Sequence, residues 1–271
     1  MNIFLRQIKT FEDVLSINNS KEMQDKPFIF YKDNKDFYDC MVDGVSTSLG
    51  FRIAYFLWIL RGANTIECLN YYSNHLKNKS DDDLTLRGAY GPRIRNWIGA
   101  DQLQEAINKN MDVDDPEDFA KPKGIDQLNS VFKDLKGNMD ISTVVVFNPA
   151  LDFDNSLDIP DLISLTFAKE NGSLHLNANY MNVEIDNNFV NDYFFVSLLQ
   201  HMMANVLQLK PGILNFNIAR AKTLGLNMVA IPHRNEGEKL YPTDKSVEEM
   251  WNNIFLLYGL EKHLRCNVNA D

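Results

Sequence analysis

The run "DYFFVSLLQHMMANVLQL", residues 192–209, constrains the fold more than any other stretch. After Asp192 it holds no Asp, Glu, Lys or Arg, and its apolar residues fall on every face of a helix. Such a helix has no wet side and must be packed around by the rest of the chain. Lys210-Pro211-Gly212 supplies its stop. A second buried helix is expected over "LGFRIAYFLWIL", ending near Gly62. Its apolar core is too short to cross a bilayer. Two apolar helices need a surface to rest on. "STVVVF" reads as a buried strand, and residues 157–180 hold two apolar runs around Glu170-Asn171-Gly172, the pattern of a β-hairpin. "IDQLNSVFKDLKGN" carries Ile125, Leu128, Val131, Phe132 and Leu135 on one helical face. "SVEEMWNNIFLLYGLEKH" reads as a last amphipathic helix, and "SNHLKNKSDDD" as a polar loop. The expected class is α+β: one domain over 1–271, with a sheet covered by one or two long helices.

Composition narrows the function. The chain has 37 acidic residues against 27 basic and a net charge of −10. That field repels phosphate backbones, so binding to duplex nucleic acid is disfavoured. The N-terminus "MNIFLRQIKTFEDV" lacks the parts of a secretory leader. Cys40, Cys68 and Cys266 show no CxxC spacing, which argues against structural zinc or a disulfide framework and fits a reduced, cytoplasmic setting. His75, His175, His201, His233 and His263 never pair at helical spacing, so no metal site is expected. His201, inside the apolar run, reads as a core histidine.

Generic nucleotide and hydrolase motifs are absent. "RGAYGPRIR" is more informative: Arg87, Arg93 and Arg95 surround Tyr90 and two glycines. The loop suits an anion, held by guanidinium forks and backbone amides, or is simply a charged surface turn. "MDVDDPEDFAKPKG", residues 111–124, reads as an acidic surface insertion.

Six segments in order resemble one family, the thymidylate synthases and nucleotide hydroxymethylases. They are "FLWILRGANTI", "AYGPRIRNW", "IDQLNSVFKDLKGNMD", "FNPALDFD", "FAKENGSLHLNANYMNVEI" and "NDYFFVSLLQHMMANVLQLKPG". The resemblance covers roughly 49–225, while 226–271 diverges. It implies that family's fold, a mixed β-sheet covered by long helices. It also implies a homodimer, or a heteromer with a homologue, a pyrimidine nucleotide or nucleoside as ligand, and a reduced folate as possible cofactor.

In the family a nucleophilic cysteine follows a proline, eleven residues before a hairpin glycine. Counting back from Gly172 reaches Asp161, directly after Pro160. By resemblance Asp161 replaces the cysteine. A thiolate attacks C6 of a pyrimidine readily, and a carboxylate is a poor nucleophile there. The arginines that hold the nucleotide phosphate correspond to Ser142, Thr143 and Met181. The sugar-binding histidine and tyrosine correspond to about Lys222 and Leu224, and the proton-relaying glutamate to Tyr55.

The resemblance leaves Asp161 and Tyr90 as candidate catalytic residues, and Arg95, Asp192, Glu184 and Lys222 as candidate ligand-binding residues. Glu184 stands where the family has an aspartate near the folate. Asp192 stands where the family reads the pyrimidine edge, and an aspartate there resembles the cytosine-selecting hydroxymethylases. On local grounds Asp192 serves equally as a helix N-cap. Three readings follow: a noncatalytic, partner-binding homologue; an enzyme repurposed around Asp161; or a working transferase with Cys68 or Cys40 as a displaced nucleophile.

Overall fold

The computed structural model describes residues 4–7, 26–34, 47–99, 124–153, 156–185, 188–222 and 254–267. The acidic insertion at 111–123, Cys40, His233, Leu224 and the start of the expected last helix lie outside them. A seven-stranded mixed sheet forms the frame. Its strands are β1 (Phe4–Gln7), β2 (Lys26–Asp33), β3 (Ile141–Val145), β4 (Leu162–Glu170), β5 (Ser173–Tyr180), β6 (Val183–Glu184) and β7 (Lys210–Lys222). The order is β1-β2-β7-β5-β4-β3, with β6 beside β7. β1 runs parallel to β2, and β5 and β6 parallel to β7; the remaining pairs are antiparallel.

The apolar runs make the expected helices, α1 (Leu49–Leu60) and α6 (Phe189–Val206). Ser48 caps α1 by accepting from the Phe51 N–H, and Arg61 closes it. Phe189, Phe194, Phe195, Leu198 and Leu199 of α6 are buried, among them residues on opposite faces, as its composition requires. α6 packs on β5 and β7. Phe30 and Phe216 from adjacent strands stack at 4.6 Å beneath it, and Phe189 meets both rings edge-on. The amphipathic segment becomes α4 (Gln127–Lys136), capped by Asp126 and seated on β3 through Leu128, Val131 and Leu135. The last helix, α7 (Ile254–Asn267), lies against α1. Tyr72 donates to Glu261 on it, and Leu257 is buried.

Three short helices complete the description: α2 (Glu67–Asn70), α3 (Tyr90–Arg95) and α5 (Pro149–Asp152). The stretch expected to be a polar loop instead contains a 3-10 helix, Asn74–Lys79, because Leu76 supplies a buried anchor that a count of polar residues overlooks. The hairpin stands where expected. Asn171 and Gly172 take φ of 48° and 76°, the left-handed pair that a two-residue turn needs. The turn also fixes the register of β4, which starts one residue after Asp161.

Candidate active site

Five segments meet at one cleft. α1 contributes Phe51, Tyr55 and Trp58, and the 3-10 helix contributes Leu76 and Lys79. The loop into α3 brings Gly88, Ala89 and Tyr90. The entry to β4 brings Asp158 to Asp161, and α6 adds Asn188, Asn191 and Asp192. The water-accessible space is about 50 Å³. Gly88 is required for closure. A Cβ there would come within 2.8 Å of Asp158 Oδ2 and 2.9 Å of the Pro160 nitrogen. Its N–H donates to Asp158 Oδ2 at 2.7 Å, tying the two loops together.

Asp192 is not the N-cap. Asn188 holds that position, and Asp192 lies inside the first turn of α6, where the helix dipole favours a carboxylate. It is buried, and Tyr90 Oη donates to its Oδ2 at 2.9 Å while Tyr55 Oη donates to Oδ1 at 3.4 Å. Burial pushes its acidity constant up to about 7, with the charge of Asp161 adding to the rise and the tyrosine hydrogen bonds opposing it. The three tyrosines Tyr55, Tyr90 and Tyr180 are all held well above their ordinary range, by burial first and the charge of Asp192 second.

Asp161 is half-buried, and among the described residues its side chain makes no hydrogen bond or ion pair. Burial pushes it up to about 6; Lys79 and Lys222 oppose the rise, and Glu184 and Asp158 add to it. Asp158 is likewise raised by burial, against the pull of the Gly88 N–H. The cleft therefore holds three carboxyl groups at raised acidity constants and one lysine in its wall.

The structure thus brings together Tyr90, Asp161 and Asp192. Glu184 and Lys222 are register partners at the ends of β6 and β7; they lie outside the wall but act on Asp161 through their charge. Arg95 also lies outside the wall and pairs with Asp126 at 3.0 Å. The anion-loop reading of the arginines is corrected. Arg93 is buried and holds both oxygens of Asp152 at 2.6 Å, as well as the carbonyls of Val146 and Arg87. Arg87 donates to the Leu151 carbonyl. These guanidiniums tie α3 to α5, so Arg93 offers no free fork to an anion.

Sequence reasoning missed Lys79, Asp158 and Trp58. Lys79 and Asp158 sit in polar stretches that read as solvated loop, and Trp58 reads as core; only the folded loops show that they share a cavity. Among the described residues no cysteine lines it, and Cys68 is exposed. Nor do three His, Cys, Asp or Glu side chains converge as metal ligands among them. No helix of the described residues is long and apolar enough to cross a membrane.

The thymidylate synthase family model matches residues 47–224, from the start of α1 to the end of β7. This chain belongs to the thymidylate synthase family. It is 27% identical over 170 residues to the deoxyuridylate hydroxymethyltransferase of Bacillus phage SP01, covering 61% of this chain and 40% of that protein. A stretch of 65 residues is 37% identical to the deoxyuridylate hydroxymethyltransferase of Pseudomonas phage M6, covering 23% of this chain and 18% of that protein. The chain thus spans less than half the length of either relative. Family membership accords with the mixed sheet under long helices.

Proposed function

We propose that this thymidylate synthase family member does not carry out thiolate-dependent methyl or hydroxymethyl transfer at C5 of a pyrimidine nucleotide, and acts as a noncatalytic, partner-binding homologue. The observation that carries the reading is Asp161. It enters the cleft directly after Pro160, at the position the resemblance gives to the nucleophilic cysteine. A carboxylate does not replace a thiolate as an attacking group on a pyrimidine carbon.

The phosphate grip is reduced as well. Ser142 donates to Asp134 and Thr143 pairs with Thr166, so neither supplies the positive charge the family places there. Each missing guanidinium removes charge-assisted bonds worth roughly 1.5–3 kcal/mol. The family resemblance implies a reduced folate as a possible cofactor. Calorimetry with dUMP, dCMP and a reduced folate tests the reading. The expected result is dissociation constants of about 1 mM or weaker; tight binding with turnover overturns it.

The proposed partner is a second copy or a homologue, seated on the sheet face away from α6. Two cross-strand rows occupy that face: Tyr31, Asn215, Asn177, Thr166 and Thr143, then Ile29, Asn217, Asn179, Ser164 and Val145. Asn215 donates to Asn177 at 2.9 Å and Asn217 to Asn179 at 3.0 Å. Neither row contains a charged residue, which lets two chains of net charge −10 approach there. Thr166→Lys is expected to leave a monomer in analytical ultracentrifugation where the unaltered chain sediments as a dimer; a monomer in both cases removes this part of the proposal.

A second reading has its own observation. Asp161 and Asp192 titrate near 6 and 7, the range in which carboxyl groups exchange protons with a ligand at neutral pH. On this reading the cleft is a repurposed acid–base site for a pyrimidine nucleoside, base or modified nucleotide. Asp161→Asn then abolishes the turnover; a turnover indifferent to that change rules it out.

A further inference from the structure

β3 ends the sheet on one side, so its outer edge carries main-chain groups that the ladder does not use. Pairing with β4 consumes alternate residues. The Val146 N–H donates to the Ile163 carbonyl, and the Asp140 carbonyl accepts from Lys169, which leaves the peptide groups of Ile141, Thr143 and Val145 facing outward. One of these three is satisfied within the chain. The Gln127 side chain accepts from the Val145 N–H at 3.0 Å and donates to its carbonyl at 2.7 Å, pairing with the edge as another peptide group would. Among the described residues the outward groups of Ile141 and Thr143 have no such partner. A strand edge in this state is a template for a further strand.

The edge opens into a groove of about 320 Å³. Ser142 lines it from one face of β3, and Thr143 and Val145 from the other, so the groove follows the main-chain edge itself. One side of α4 forms its second wall, through Gln127, Ser130, Val131 and Asp134 at i, i+3, i+4 and i+7. Trp97 and Ile125 give apolar surface at the Gln127 end, and Asp134 stands at the Ser142 end. We propose that this groove takes an extended segment of a partner polypeptide as an eighth strand, with an apolar side chain toward Trp97 and Ile125 and a Lys or Arg toward Asp134. Charge selects the basic residue. Asp134 accepts from Ser142 Oγ at 2.7 Å and pairs with no cation among the described residues, and no Lys or Arg lines the groove. From Gln127 to Asp134 a helix rises roughly 10 Å, a distance that an extended chain covers in about three residues. The apolar and basic residues therefore stand two apart, on one face of the added strand. Gln127 disfavours a second copy here. β3 paired with itself about Thr143 would set Ile141 against Val145, whose groups Gln127 already holds. The groove borders the face proposed for a second copy and lies apart from the cleft, so the inference goes beyond the reading of the cleft and does not rest on it.

The probe is a fluorescein-labelled hexapeptide, Thr-Val-Thr-Lys-Thr-Thr, titrated with the full chain and followed by fluorescence anisotropy. A second peptide carries Glu in place of Lys. Two more are N-methylated on alternate amides, one set each. The Lys peptide is expected to saturate below about 1 mM, and the Glu peptide to bind about tenfold more weakly. One N-methylated peptide is expected to lose binding and the other to keep it, because an added strand presents only every second N–H to its neighbour. Asp134→Asn is expected to shrink the Lys-to-Glu difference to about threefold or less, with thermal unfolding showing that the variant folds. No saturation by the Lys peptide, or equal binding of all four peptides, overturns the inference. A dimer that the Lys peptide splits into monomers in analytical ultracentrifugation assigns the groove to a second copy and overturns it too. Either failure leaves the cleft reading intact, since nucleotide calorimetry probes a different surface.

Discussion

Asp152 and Asp161 are both acids withdrawn from water in the same domain, and their surroundings could hardly differ more. Asp152 lies between both forks of Arg93 and also accepts the Asn148 N–H at 2.6 Å. Among the described residues the Asp161 side chain makes no hydrogen bond or ion pair, and Lys79, Lys222, Glu184 and Asp158 act on it through their charge alone. The first arrangement ties α3 to α5 and so fixes the loop that carries Tyr90. The second leaves an acid held up near 6, beside a second near 7. Asp192 stands between the extremes, with two tyrosine donors and, among the described residues, no cation paired to it.

The largest effect should come from breaking the satisfied pair. Arg93→Met strands Asp152 and is expected to cost about 3–5 kcal/mol in denaturant unfolding. Asp152→Leu added to it should recover a large part. A cost below about 1 kcal/mol for the single change would erase the contrast between the two acids. A smaller effect of opposite sign is expected at the other acid. Below about pH 4 the folded and unfolded chains both hold the Asp161 proton. Between about 4 and 6 the folded chain keeps a proton that the unfolded chain has released, so rising pH costs stability across this window. Asp192 extends the window to about 7. Asp161→Asn should therefore stabilise the chain at pH 8, on the order of 2 kcal/mol, with the gain vanishing below pH 4. A gain that persists at pH 3 assigns the effect to something other than ionisation. The smallest effect belongs to Tyr180→Phe. Removing a buried hydroxyl that has no partner among the described residues should leave stability within about 0.5 kcal/mol of the parent or raise it slightly.

What the sequence made readable followed from periodicity and turn chemistry. The all-round apolar run gave α6, the LGFRIAYFLWIL run gave α1, and Asn171-Gly172 gave the hairpin, since each depends on residues close in the chain. The family resemblance, counted back from the hairpin glycine, placed Asp161 at the nucleophile position, and the apolar run after it placed it at the entry to a strand. The cleft was only partly readable. Asp192 was ambiguous between cap and ligand group, and only the packing of Tyr90 and Tyr55 against it separated the two. Arg93 appeared free because its partner Asp152 lies in another segment. Lys79 and Asp158 were hidden for the same reason: their role arises from loops brought together by Gly88, and no local pattern encodes that approach.

The central claim is that an acid occupies the place where sulfur attacks in the family. Tritium release from 5-³H-dUMP and 5-³H-dCMP, with and without a reduced folate, tests it most directly, because exchange at C5 requires a nucleophile at C6. The account predicts release no faster than a protein-free blank, for the unaltered chain and for Cys40→Ser and Cys68→Ser alike. Release well above the blank that disappears in either cysteine variant would show a displaced thiolate at work and contradict it.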